Sequence, residues 1–123
     1  MIGALSVLIV IIGATTANSL YMSSVTDKAI TYLEDALAAG EADDESVTVQ
    51  AALALDHYWD ERRSYLESVL MHAELDDISV TISDFVSAAE NGDSDNFHAS
   101  GRLLYVQLQH LAELEKLKIG NIL

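Results

Sequence analysis

From Met1 to Thr26 the chain carries no charged side chain, and residues 2–22 (IGALSVLIVIIGATTANSLYM) form its most apolar run. Nothing else in the sequence restricts the fold so tightly. A charge-free stretch of ~20 residues has few stable environments: a bilayer, a secretion channel, or the middle of a core. A cleaved signal peptide would use the dense run 5–12 as its h-region, but Thr15-x-Ala17 is a poor small-x-small cleavage site. The length suits a transmembrane anchor, and that is the leading expectation. The chain then divides into a membrane anchor, or uncleaved signal segment, over residues 1–22 and a soluble domain over 23–123. Lys28 stands beside Asp27, so flanking charge hardly orients the segment. So little chain precedes it that the start is expected inside the cell and the domain outside. Gly13-x-x-x-Ala17 has the spacing of a close helix–helix contact, a pairing common by chance in apolar segments.

All 26 charges lie at Asp27 or later, 20 acidic and six basic, for a net charge of −14. Such a surface repels phosphate backbones, which argues against nucleic-acid binding. The absence of cysteine removes disulfides, thiol catalysis and thiolate metal sites. The absence of proline in a chain rich in Ala, Leu and Glu points to an all-α protein.

Between Gly13 and Gly40 nothing breaks a helix. Val25, Ala29, Tyr32 or Leu33, and Ala36 or Leu37 continue an amphipathic three–four spacing. The expected form is one helix that leaves the membrane and becomes the first helix of an antiparallel bundle of about four. Gly40 is expected as its C-terminal cap, with Glu41 to Glu45 as the turn. A second helix over 46–71 has the stripe Ala52, Leu55, Trp59, Leu66, with Trp59 as a core anchor. Arg62 and Arg63 interrupt that stripe and are expected to pair with acids such as Asp60 or Glu67. His72-Ala73-Glu74-Leu75-Asp76-Asp77 is either a bend or a continuation. The third helix has the cleanest period, Leu75, Ile78, Ile82, Phe85 and Ala89, and ends at the turn pair Asn91-Gly92. The fourth opens with Ser94, Asp95 or Asn96 as N-cap and follows Phe97, Gly101, Leu104, Leu108, Leu111 to a cap at Gly120.

The order of these features resembles the domain-of-unknown-function 4363 family. The matching elements are Trp59, then His72-Ala73-Glu74-Leu75-Asp76 with Ile78, then 108–114, and the final Asn121-Ile122-Leu123. The resemblance spans essentially the whole chain. It implies a small membrane-anchored helical protein of Gram-positive bacteria with no assigned activity. Members of that family usually carry a basic residue or two ahead of the apolar segment. This chain has none there, which implies a further upstream start or an insertion that does without them.

Few constellations here suggest chemistry. Glu-x-x-His, the helical carboxylate–histidine metal motif, is absent; the reverse order occurs at His110-x-x-Glu113. Asp43-Asp44-Glu45 and Asp93-x-Asp95 lack the full spacing of a calcium loop. No nucleophile elbow, phosphate loop or dinucleotide fingerprint is present. The expectation is therefore a non-enzymatic, membrane-anchored, extracytoplasmic interaction module, single-pass in the cell membrane, without a cofactor and with a protein partner, such as another membrane protein. The alternative is a metal- or cation-responsive sensor. His72, Glu74, Asp76 and His110 are the candidate partner or metal contacts.

Overall fold

The computed structural model describes residues 2–69 and 72–122, with side chains at 2, 15, 16, 18, 19, 69, 72, 73 and 115–122 outside the description. The described chain is all helix and turn: α1 (Ile2–Glu41), α2 (Glu45–Val69), α3 (His72–Glu90) and α4 (Ser94–Ile122). Consecutive helices pack on one another, α4 closes against α1, and among the described residues the diagonal pairs stay apart. That is the cyclic order of an up-down-up-down four-helix bundle.

Side-chain contacts give the directions. Tyr21 meets Tyr65 at 4.7 Å and Tyr32 meets Tyr58 at 5.0 Å, so α1 and α2 run antiparallel. Arg63 reaches Asp76 at 3.8 Å. In one straight helix those residues would lie about 20 Å apart, so the chain reverses between α2 and α3. Residues 70–71 between them lie outside the described residues. His72 to Asp77 therefore forms the opening turns of α3 rather than a bend or a continuation.

The core follows the periodic stripes. Trp59, Leu66, Ile78, Ile82, Phe85, Leu104, Leu108 and Leu111 are all buried, as are Val25, Ala29, Leu33 and Ala36 of α1. Phe85 stacks on Phe97 at 4.4 Å. Gly101 lets α1 and α3 approach this stack, because a Cβ there would lie 2.8 Å from Leu37 and 3.1 Å from Phe85.

Three helix ends differ from expectation. Gly40 lies inside α1 and caps nothing; a Cβ at that position would meet the Phe97 ring at 2.7 Å. The left-handed residue that ends α1 is Asp43, at φ 56°, and its N–H donates to the Gly40 carbonyl. The N-cap of α4 is Asp93, whose carboxylate accepts from the Asn96 N–H at 3.2 Å. Gly120 does not stop α4, which runs on to Ile122. The expected Gly92 turn is present: φ is 67°, and the N–H groups of Gly92 and Asp93 donate to Ala89 and Ala88. This is the paired closure of a Schellman motif. Asp44 caps α2 as Asp93 caps α4, accepting from the Val47 N–H at 3.2 Å. Both caps, and both turns, lie at one end of the bundle.

At the other end α1 outruns its neighbours. Among the described side chains of α1, Met22 is the first that is fully buried. Before Met22, Leu5, Val7, Leu8, Ile9, Val10 and Ile11 are between 52 % and 68 % exposed, which covers every face of the helix. α1 is unbroken through 20–28. Among the described residues no helix is long and apolar enough to cross a membrane. What precedes the bundle is an apolar helical extension of α1.

Candidate functional site

Among the described residues, three places on the bundle bring a histidine together with acidic side chains. Between α3 and α4, Glu74, Asp77, Gln107 and His110 line a small cavity of about 100 Å³ over Ile78 and Leu111. The fold thus unites two of the four residues singled out from sequence, Glu74 and His110. Asp76 points elsewhere, 67 % exposed beside Arg63. The side chain of His72 lies outside the described residues. The Gln107 amide oxygen is buried without a hydrogen-bond partner. Among the described residues, no three His, Asp or Glu groups are arranged to hold a metal ion.

The end carrying both turns is the most acidic part of the molecule. Residues 41–45 and 90–95 hold seven acids and no base. Between these turns a cavity of about 360 Å³ has Asp43, Glu45 and Asp93 at its rim, with Phe97 and His98 in its wall. Five of the six bases, Lys28, Arg62, Arg63, Lys116 and Lys118, belong instead to helix segments in the half nearer the apolar extension.

The third place is a cleft of about 570 Å³ between α1 and α2, whose charged lining is Lys28, Asp35, His57, Glu61 and Arg62. Tyr32 and Tyr58 form its aromatic wall. Arg62 stands where the core stripe of α2 would otherwise continue between Trp59 and Leu66. Its stem is therefore drawn inward, and the side chain is only 27 % exposed. The guanidinium lies 3.8 Å from the Tyr58 ring centroid, and Nη1 donates to the Tyr58 carbonyl at 3.2 Å. Glu61 is bonded to His57 at 2.7 Å and touches Arg62 at 3.4 Å. Burial raises the pKa of the Tyr58 hydroxyl, and the positive charge of Arg62 offsets part of that rise. Reading the helices one at a time does not reveal this cleft. The available signal was the pair of arginines in an apolar stripe, which marks a half-buried cation in need of partners. Arg63 found Glu67 at 3.0 Å, as expected, and Asp76 of α3.

The fold and these surfaces define a class: an acidic antiparallel four-helix bundle whose first helix extends into an uncharged apolar arm. Within that class, the chain belongs to the family described as a domain of unknown function, DUF4363, which matches residues 16–122. The match covers the whole bundle and begins inside the apolar arm. No curated protein and no solved structure matches the chain.

Proposed function

We propose that the chain is a non-enzymatic membrane module, with the α1 arm in the bilayer and the bundle presented outside the cell to a protein partner. One observation carries this reading. The uncharged part of α1 ahead of Met22, residues 2–21, is about 30 Å long at 1.5 Å per residue, the thickness of a bilayer's hydrocarbon layer, with its base packed on the bundle through Tyr21 and Tyr65. Leu5, Val7, Leu8, Ile9 and Val10 are each more than half exposed and face outward on all sides. Charge distribution supports the same orientation. The tip with seven acids lies farthest from the arm, where repulsion from anionic lipid is weakest.

The test is alkaline carbonate extraction of cell membranes, run on the full chain and on a variant with Ile9→Arg and Val10→Arg. Each arginine costs ~2.5–3.5 kcal/mol at a bilayer centre on insertion scales. The wild type is expected in the membrane pellet and the variant in the supernatant, with its helical circular dichroism retained. Release of the wild type by carbonate refutes the anchor. Protease shaving of intact cells reports the side: protection of the bundle refutes an extracytoplasmic position. For the partner, crosslinking in intact membranes should give a reproducible adduct from bundle residues, and none from them refutes the interaction reading.

A further inference from the structure

The charged cleft between α1 and α2 has no part in anchoring. We propose that it binds a zwitterionic phosphate ester, a phosphate joined to an ammonium group as in an aminated phospholipid headgroup, with Arg62 as the phosphate anchor. The lining is balanced, Lys28 and Arg62 against Asp35 and Glu61, in a chain that is otherwise strongly acidic. A simple anion would face two carboxylates there, and a simple cation would face two bases. A ligand carrying both charges meets both sets.

Arg62 is ready for the phosphate. Its guanidinium is held from behind by the Tyr58 ring and carbonyl. The planar fork has five N–H donors, and among the described residues only Nη1 makes a hydrogen bond, to Tyr58 and more loosely to Glu61. Glu61 is 54 % exposed and its contact with Arg62 is long at 3.4 Å, so a phosphate displaces it at little cost. Lys28 supplies a further donor on the same lining. At the other end, Asp35 and the Tyr32 ring offer a carboxylate and an aromatic face, the pair that suits an ammonium group.

The position fits a lipid source, and this part rests on the anchor reading. Lys28 lies six residues beyond Met22, or about 9 Å along α1. The headgroup layer is roughly 5–8 Å deep on each side of a bilayer. The lower rim of the cleft then stands at the outer edge of that layer, within reach of a neighbouring headgroup.

The experiment uses the full chain in a detergent without phosphate. Phosphoethanolamine, inorganic phosphate and ethanolamine are titrated separately while the Arg62 side-chain N–H and Tyr32 ring signals are followed by NMR. Phosphoethanolamine should give saturable shifts at both residues, at least tenfold tighter than either fragment. Arg62→Ala and Arg62→Lys should each weaken it tenfold or more, and Lys28→Gln less, with melting curves that show folded protein throughout. Absence of saturation, an equal response to inorganic phosphate, or unchanged binding by folded Arg62→Ala overturns the proposal. The chain in vesicles is then compared between phosphatidylethanolamine and phosphatidylglycerol. An Arg62 shift confined to the former supports the lipid source. A shift with soluble phosphoethanolamine but with neither vesicle overturns the lipid source and supports a soluble phosphoester. Carbonate extraction reads the anchor independently, so failure of one reading is not mistaken for failure of the other.

Discussion

Gly40 offers a clean test of how this bundle is packed. A Cβ at Gly40 would sit 2.7 Å from Cε1 of Phe97, about 1 Å closer than carbon atoms tolerate. The Phe97 ring cannot retreat freely, because it stacks on Phe85 at 4.4 Å and is 4 % exposed. Overpacking of this kind costs roughly 1–3 kcal/mol. Against it, Gly→Ala inside a helix gains about 1 kcal/mol in propensity. The net effect of Gly40→Ala alone is therefore a loss of about 0–2 kcal/mol, too broad to be decisive. A double-mutant cycle removes the ambiguity. In a Phe97→Leu background the propensity gain is the same but the ring is gone, so the coupling energy isolates the clash at about 1–3 kcal/mol. The assay is urea unfolding followed by circular dichroism at the four corners of the cycle. In the Phe97→Leu background Gly40→Ala should become neutral or stabilising. A Gly40→Ala effect equal in both backgrounds, within about 0.3 kcal/mol, refutes the close approach and returns Gly40 to the role of a backbone cap.

Other positions carry simpler expectations. Phe85→Ala empties a fully buried site at the α3–α4 seam and should cost about 3–5 kcal/mol in urea unfolding. Asp93→Ala removes the α4 cap and should cost about 1 kcal/mol, whereas Asp95→Ala, with no cap bond, should stay within about 0.5 kcal/mol. Asp43→Gly should stabilise by up to about 1 kcal/mol by relieving a left-handed residue, and Gly92→Ala should destabilise by about 1–2 kcal/mol at the matching position in the other turn. The raised pKa of Tyr58 means the folded state holds that proton more tightly than the unfolded state, whose tyrosine keeps the ordinary value of 10.0. Its contribution is present below pH 10.0 and is lost as pH rises through the higher folded value. The urea midpoint of the wild type should thus fall more steeply above that pH than the midpoint of Tyr58→Phe.

The helical stripes were legible because burial repeats every three or four residues, a local signal that any window of the chain contains. Leu75, Ile78, Ile82, Phe85 and Ala89 could be placed on one face without knowing what covered them, and all five are buried. The glycines were less legible, because one residue type answers two different needs. Gly92 is a turn glycine, set by its positive φ, while Gly40 and Gly101 are packing glycines, set by rings and side chains from other helices. Sequence neighbours do not distinguish these cases. Asp43 takes the left-handed position that a glycine was expected to fill, which is possible because Asp tolerates that conformation better than most residues. The α1–α2 cleft was hidden for a related reason. Lys28 and Arg62 are 34 positions apart, and only the register of two antiparallel helices places them on one lining. Of the predicted contacts, Glu74 and His110 come together for the same reason of register, and Asp76 turns outward to Arg63.

The junction between arm and bundle determines how the module behaves as a whole. A loosely tethered domain would have an exposed, broken helix where the arm ends. Here Met22, Val25 and Thr26 are 0 %, 2 % and 1 % exposed, and they begin the core. The Thr26 hydroxyl donates to the carbonyls of Met22 at 2.8 Å and Ser23 at 3.1 Å, so even its polar group is satisfied within the helix. Bending α1 at this point would expose those side chains and break that satisfaction, at a cost set by the bundle core and not by a linker. Whatever fixes the tilt of the arm therefore also fixes the bundle. The α1–α2 cleft is held at one height and the acidic tip at another, about 10–20 Å farther along α1 from the cleft's Lys28–Asp35 stretch to Glu41. A partner at the tip and a headgroup at the cleft would then meet one rigid body.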